Sequence, residues 1–366
     1  MKKLLLLGLL FILGGGAGIA RAADTRFVIV GLDHDHVWSR MKGLLQTPGA
    51  QLVAIADTHP ELIEKAKALV PPSVKFFSDY TEMLDAMKPD VAIVTTANSL
   101  HLPILRACAR RHINYFTEKP MASSGADARD MARLANEAGI KLMVNYWNFW
   151  SPATQEAAAQ VKAGEVGPVQ KIIVEFGHEG PKEIGVGPEF LDWLTDPAKN
   201  GAGALYDFGC YGVDLTTWLM RGETPISVTA VTNHDKPEIY PRVDDDSTII
   251  LEYPHAQAVI MGSWNWPFSR KDMEVYGATG YAITVGPDKV RLRLPHEPEE
   301  RLTTAPSLEG AQQNSLSYLA AVLRGQLEPK GDLTALDTNV IVMQILDAAR
   351  ESARTDKSVK LNRLGE

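Results

Sequence analysis

Tyr115-Phe116-Thr117-Glu118-Lys119-Pro120-Met121 is an apolar and aromatic run that ends abruptly in a carboxylate, an amine and a proline. It reads as a buried strand whose last residues emerge into a crevice. In open α/β sheets, ligands collect at the carboxyl ends of strands. A lysine there is a compact cation with three donors, suited to hydrogen bonding a hydroxyl that must lose a proton. Taken alone, the same residues also describe a surface Glu-Lys pair after a strand. The flanking sequence decides between the two.

Upstream, Phe27-Val28-Ile29-Val30-Gly31 is a short apolar run into a glycine, a buried strand ending in a turn. Residues 37–45 suit a helix, 51–56 a second strand, 60–69 a helix with proline near its start, and 75–77 a short strand. Residues 80–87 are helical, 90–95 a strand, 102–110 a helix, and 113–117 the strand that delivers Glu118 and Lys119. A helix over 126–138 and a strand over 141–145 complete the series. Strand alternating with helix at this spacing means a parallel sheet wound on both faces, the Rossmann-type arrangement, over residues 23–147.

Downstream the pattern changes. Strand candidates at 226–232, 247–253, 256–263, 272–276, 282–285 and 290–294 are separated by short turns. Runs of hairpins favour an antiparallel sheet, so residues 148–366 read as an α+β domain. Residues 152–162, 204–219, 312–324 and 333–353 are its expected helices. The overall class is therefore α/β, with a parallel-sheet domain followed by an α+β domain whose sheet is largely antiparallel.

The 366 residues suffice for two domains with ample cores. Lys2 and Lys3 precede an apolar run from Leu4 to Leu13, and Ala20-Arg21-Ala22 offers a cleavage site. This is the pattern of a signal peptide over residues 1–22, too short and Gly-rich for a membrane anchor. The expected location is outside the cytoplasm, periplasmic or secreted. Cleavage takes away Lys2, Lys3 and Arg21 and no acids, so the net charge moves from −8 to −11. An acidic mature chain argues against nucleic acid and anionic membranes as partners. Cys108 and Cys210 fall in separate expected domains and are read as unpaired.

Candidate cofactor residues cluster at the ends of the first strands. Asp57 follows the second strand, where an acid accepts hydrogen bonds from adenosine ribose hydroxyls and repels a 2′-phosphate, favouring NAD over NADP. It could equally cap the following helix. The first turn reads Gly31-Leu32-Asp33-His34-Asp35-His36, which keeps only the first glycine of a G-x-G-x-x-G fingerprint. Asp33 places a negative side chain where a diphosphate should lie; His34 and His36 could compensate if protonated. These adjacent loop residues lack further evident ligands, so no metal is expected.

The chain resembles the Gfo/Idh/MocA family, that of glucose-fructose oxidoreductase and inositol dehydrogenase. The resemblance rests on residues 95–101 (Thr-Thr-Ala-Asn-Ser-Leu-His), on the Glu118-Lys119-Pro120 signature, on residues 142–149 with Pro152, and on Gly201-Ala202-Gly203-Ala204-Leu205-Tyr206-Asp207-Phe208-Gly209-Cys210-Tyr211-Gly212-Val213-Asp214. It spans nearly the whole mature chain; the glycine-poor loop is its main departure. It implies an NAD(P)-dependent oxidoreductase acting on a sugar, a polyol or a related hydroxyl or carbonyl compound. Tyr211 would be the acid/base, Lys119 would hold the reacting oxygen, and Asp207 would orient substrate or tyrosine. Asp207 and Tyr211, four apart, would share a helix face. Asn98, His101 and Glu118 would border the nicotinamide, and Trp147, Asn148, His178 and Trp193 would line the substrate pocket, with Trp264 and Trp266 packing only. The resemblance also implies a cis Lys119–Pro120 peptide and a homodimer or homotetramer. Two other readings stay open: an exported, non-catalytic sugar-binding protein, and a lyase or glycosidase using NAD as a transient oxidant.

Overall fold

A computed structural model describes residues 24–361; the signal-peptide reading lies outside the described residues. The first sheet is built from β1 (Thr25–Val30), β2 (Ala50–Ala56), β3 (Lys75–Phe77), β4 (Val91–Val94), β5 (Asn114–Glu118) and β6 (Leu142–Asn145). All neighbours are parallel, in the order β3-β2-β1-β4-β5-β6. The connecting helices are α1 (His36–Gln46), α2 (Pro60–Lys67), α3 (Tyr80–Met87), α4 (His101–Ala109) and α5 (Gly125–Ala138). Every residue of β4 and β6 is buried. That is the expected state of a strand covered by helices on both faces, and it explains their unbroken apolar sequence.

The second half opens with α6 (Pro152–Lys162), β7 (Val169–Gly177), α7 (Pro188–Leu194), α8 (Pro197–Asn200), α9 (Ala204–Asp207) and α10 (Gly209–Leu219). Then follow β8 (Ser227–Asn233), β9 (Asp246–Glu252), β10 (Gln257–Ser263), β11 (Arg270–Gly277), β12 (Tyr281–Val285), β13 (Lys289–Arg293), β14 (Arg301–Thr304), α11 (Ser315–Leu323), α12 (Leu336–Thr355) and β15 (Val359–Lys360). The strands form one sheet, β14-β13-β12-β11-β7-β10-β9-β8-β15, antiparallel except for β7 beside β10. Along β7 burial alternates, as in a strand with one covered face. The covered face packs against α6, α10 and α12.

The second half also holds two closing contacts to the first. The Asp347 carboxylate on α12 accepts from the Gly125 backbone N–H at 2.7 Å and from the Tyr206 hydroxyl at 2.7 Å. The backbone N–H of Val144 on β6 donates to the Thr334 carbonyl at 3.2 Å. Both cysteines are buried and free. Among the described residues, no helix is long and apolar enough to cross a membrane.

One expected helix is two. The apolar pattern over 204–219 is continuous, yet the helix breaks at Phe208, which ends α9 and begins α10. In an unbroken helix the Tyr211 N–H would donate to the Asp207 carbonyl. Here the Lys119 ammonium takes that carbonyl at 2.9 Å, and the Tyr211 N–H turns to Phe208 O at 3.1 Å. Asp207 and Tyr211 therefore do not share one helix face as the spacing implied. Their placement is set by a lysine from the other sheet. The short helices α7 and α8 were also not anticipated.

The glycines before α9 have a packing reason. The Asp244 carboxylate accepts from Gly203 N at 2.8 Å and Leu205 N at 2.6 Å. A Cβ on Gly203 would lie 1.8 Å from the Asp244 carbonyl oxygen, so only glycine lets the two backbones meet.

Candidate active site

β5 ends in Glu118, and the next two residues are joined by a cis Lys119–Pro120 peptide. Lys119 is buried, with its ammonium on both the carbonyl and the carboxylate of Asp207. The second Asp207 oxygen accepts from the Trp264 indole N–H at 2.9 Å. Burial alone would drive Lys119 toward its neutral form, but the Asp207 charge, with Tyr211 and Cys210, overrides it and holds the ammonium firmly protonated. Burial likewise works against the Asp207 carboxylate, and Lys119 again wins and keeps it ionised. The pair is thus a fixed dipole in a dry place. Trp264, expected only to pack, is its third member.

Tyr211 lies beside it. Its ring stacks on Phe176 (4.9 Å between centroids, 17° between planes), and the Lys119 ammonium stands 5.0 Å from its centroid. Burial raises the phenol pKa by more than Lys119 lowers it. As built, Tyr211 is a proton donor, and its use as a base needs added stabilisation of the phenolate. Trp147 adds a tilted contact to Phe176 at 6.2 Å and an edge contact to Tyr211 at 6.3 Å. His178 is half-buried with its ring edge on Phe208, and its Nδ1 accepts from Gly180 N at 2.9 Å. Asn148 is buried, and neither of its side-chain amide atoms has a protein partner.

Glu118 turns the other way. Its carboxylate binds Arg40 Nε at 3.1 Å, Asn145 Nδ2 at 2.9 Å and His36 Nδ1 at 3.1 Å. Burial would raise its pKa, but His36 and Arg40 hold it well below the carboxylate range. His34, His36 and Glu118 offer donor atoms within 4.8 Å of one another. The strand end thus supplies a third potential ligand that the loop alone lacked. Arg40 already neutralises that carboxylate and would oppose a cation there.

The remaining assignments sort by position. His34 is buried and stacked on Phe190 at 4.3 Å; burial, then the nearby His36 charge, hold it neutral, so it brings no positive charge to the loop. His101 is fully buried, with Nδ1 on Met121 O at 3.0 Å and Nε2 on the Thr117 hydroxyl at 3.2 Å; burial pushes its pKa down to about 4. Both nitrogens are spent inside the domain, so its side chain clamps the loop from behind. Asn98 donates to Asn200 Oδ1 at 2.6 Å and ties the β4–α4 turn to α8. Trp193 does not join the Trp147 cluster. Its indole N–H donates to Asp33 O at 3.0 Å, and with Phe190 it roofs the β1–α1 turn.

The residues around that turn fit the adenosine half of a dinucleotide. A cavity of about 190 Å³ lies over Gly31, Asp57, Thr58, Ser78, Tyr80, Thr96 and Ile104. Gly31 has φ +88°, and a Cβ there would sit 2.2 Å from the Thr96 methyl. Asp57 is not free: it accepts from Leu32 N at 2.5 Å, His59 N at 2.7 Å and His59 Nδ1 at 2.8 Å. Asp33 has a buried carboxylate oxygen without a protein partner, a group that a polar ligand would satisfy. Burial, then the Asp57 charge, push its pKa up to about 7. The diphosphate half is less open, because Phe190 and Trp193 cover the turn.

Comparison with known proteins follows the same division. Residues 25–146 match a family described as "Oxidoreductase family, NAD-binding Rossmann fold", and residues 154–283 match the "GFO/IDH/MocA C-terminal domain". The trans-1,2-dihydrobenzene-1,2-diol dehydrogenase of Xenopus laevis is 30% identical over 215 residues. That match covers 58% of this chain and spans 60% of the relative's length. An aldose-aldose oxidoreductase from Caulobacter crescentus, complexed with glycerol, superposes with a TM-score of 0.76 at 25% identity, covering 92% of this chain and 100% of that one. The WlbA dehydrogenase from Bordetella pertussis, in complex with NADH and UDP-GlcNAcA, shares the fold with a TM-score of 0.77 at 22% identity, covering 93% and 98%.

Proposed function

The chain belongs to the Gfo/Idh/MocA oxidoreductase family, with an NAD-binding Rossmann domain, and from that premise we propose that it interconverts a hydroxyl and a carbonyl on a sugar, polyol or similar polar molecule. Bound NAD would supply the hydride acceptor. Gly31, Asp33, Asp57 and His59 would hold its adenosine half, and Glu118 with His36 and Arg40 would flank the turn into α1. The observation that carries the reading is the buried Lys119–Asp207 pair at the end of β5, with Tyr211 beside it. Lys119 places a permanent positive charge where an alkoxide develops. Asp207 holds that ammonium in place, and Trp264 holds Asp207. Tyr211 passes a proton to or from the reacting oxygen.

We propose also that the chain is exported and assembles as a homo-oligomer. The open sheet face supports the second: Ile173, Val259, Ile250 and Thr229 stand opposite one another across four strands, and Val231 beyond them is 62% exposed. Such a face is covered by another copy in a dimer or tetramer. Light scattering of the mature chain tests that, and N-terminal sequencing of protein taken from the periplasm tests export.

A second reading has its own observation. The roof of Phe190 and Trp193 over a turn lacking two glycines suits a sugar-binding protein that takes up no nucleotide. A sugar panel with NAD, followed by nicotinamide absorbance and product analysis, separates the readings. Net reduction supports the dehydrogenase. Product without net reduction supports transient oxidation, as in a lyase or glycosidase. Sugar binding with neither supports the binding protein.

A further inference from the structure

Beside the Lys119–Asp207 pair stands a further cation, carried by β11. Along that strand side chains alternate between faces. Arg270 and Asp272 point one way and pair with each other at 2.9 Å, Arg270 also reaching Glu175. Lys271 points the other way. It stands opposite Phe176 in the β7–β11 register, and Phe176 is the ring stacked on Tyr211. The Lys271 ammonium lies 4.5 Å from the centroid of the Trp147 ring. The residue is exposed, and among the described residues no carboxylate is bonded to it. The acid whose charge reaches it, Asp207, is already committed to Lys119 and Trp264. Lys119 and Lys271 therefore share the charge of one carboxylate, Asp207.

We infer that Lys271, held on the Trp147 face, forms a subsite for a carboxylate carried by the substrate, so that the substrate class is a sugar acid, a uronate or aldonate. This rests on the oxidoreductase reading for its chemistry but not for its binding. The Trp147 face offsets part of the hydration lost by the ammonium and fixes its position. Although Lys271 as a whole is exposed, the protein packed round its ammonium, and then the repulsion of Lys119, work against its charge, and an anion would offset both. His178 adds a second donor: its Nδ1 accepts from Gly180 N, so the neutral ring carries its proton on Nε2. One ammonium and one imidazole N–H suit a planar monoanion. A phosphate is typically met by a guanidinium fork or by a row of helix N-terminal amides, and neither is part of this cluster.

The test uses the full mature chain with NAD and four probes: glucose, glucuronate, gluconate and glucose 6-phosphate. Calorimetry gives binding and nicotinamide absorbance gives turnover, for the wild type, Lys271→Met and Lys271→Arg. The expected result is tighter binding of at least one of the two acids than of glucose, by roughly tenfold or more, as for one hydrogen bond between charged groups. Lys271→Met should erase that preference and Lys271→Arg should largely restore it, with thermal unfolding confirming that both variants fold. Equal affinity for acid and neutral sugar would overturn the subsite, as would a preference that survives Lys271→Met. A Lys271-dependent preference for the phosphate over both acids would overturn the carboxylate assignment. If the acids bind through Lys271 but nothing is turned over, the subsite stands and the oxidoreductase reading fails.

Discussion

Two pairs of charged groups sit beyond the carboxyl ends of strands of the same sheet, and they are built oppositely. At the β5 end, Lys119 and Asp207 are of opposite sign, buried together, and each keeps the other ionised. At the β1 end, Asp33 and Asp57 are of the same sign, and Asp33 is pushed up to about 7 by burial and by its neighbour. The first arrangement is a permanent dipole suited to steadying charge on a reacting oxygen. The second is a variable charge where a diphosphate would approach, with His59 and Lys199 as its opposing cations. The Glu118-Lys119-Pro120 run is kept where chemistry is proposed, and two glycines of the fingerprint are missing where the nucleotide is proposed to lie.

The largest effect should come from breaking the first pair. Lys119→Met is expected to lower turnover roughly 10³-fold, the scale of removing a donor to a developing oxyanion. It should also cost stability, about 3–5 kcal/mol, because Asp207 is left as a lone buried carboxylate. Lys119→Met combined with Asp207→Asn should regain much of that stability and none of the turnover. Chemical denaturation beside steady-state kinetics checks both. Recovery of turnover in the double variant would show that the pair is structural.

Tyr211→Phe comes next. The Tyr211 hydroxyl makes no hydrogen bond to protein among the described residues, so stability should change by less than about 1 kcal/mol. Turnover should fall roughly 10²-fold with little change in KM, the signature of a proton-transfer group. Near-normal turnover would move the acid/base role to His178, whose half-buried ring faces the same charges.

The second pair should show itself through pH. As pH rises from 6 to 8, Asp33 loses its proton beside Asp57, and a diphosphate is then repelled. NAD affinity measured by calorimetry should fall across that window, by up to roughly tenfold per unit of pKa shift expressed. Asp33→Asn should flatten the curve. The stability linkage has the same sign. A folded-state pKa raised above the unfolded value contributes stability below about pH 4, and this is lost as pH rises through about 7. Asp33→Asn should therefore gain stability relative to the parent above pH 7. A flat NAD profile in the parent would mean that the diphosphate does not approach Asp33.

The smallest effect concerns cofactor choice. His59 sits on Asp57; burial works against its charge, but the hydrogen bond to that acid and the charges of Asp57 and Asp33 together raise its pKa. When protonated it cancels part of the charge that would repel a 2′-phosphate. His59→Gln should sharpen the preference for NAD over NADP by a few-fold, the scale of a partly exposed charge contact. Asp57→Ala should relax it. Competition binding with the two nucleotides reads both.

How far the sequence carried these conclusions follows the same contrast. The alternating strands and helices of residues 23–147 were legible because buried parallel strands must be continuously apolar, and their ends named Gly31, Asp57 and Glu118 directly. The pairing of Glu118 with Asn145 was also within reach, since parallel neighbours in register end together. The break at Phe208 was not legible. The apolar period runs through it, and its cause is the Lys119 ammonium reaching 88 residues forward to a carbonyl. The seat of Trp193 over Asp33 was not legible for a related reason: an aromatic on a short helix gives no sign of which neighbour it will cover. Trp264 was read only as packing and Lys271 went unseen because their partners, Asp207 and Trp147, come from distant segments.

The most direct test of the central claim is a single-turnover experiment on the mature chain with one equivalent of NAD and excess sugar or sugar acid. It is run on the wild type and on the variant carrying both Lys119→Met and Asp207→Asn. Nucleotide binding is read by calorimetry and reduction by nicotinamide absorbance. The account predicts that both proteins bind NAD and that only the wild type reduces it. Equal reduction by both would remove Lys119 and Asp207 from the chemistry, and absence of nucleotide binding in the wild type would contradict the oxidoreductase assignment itself.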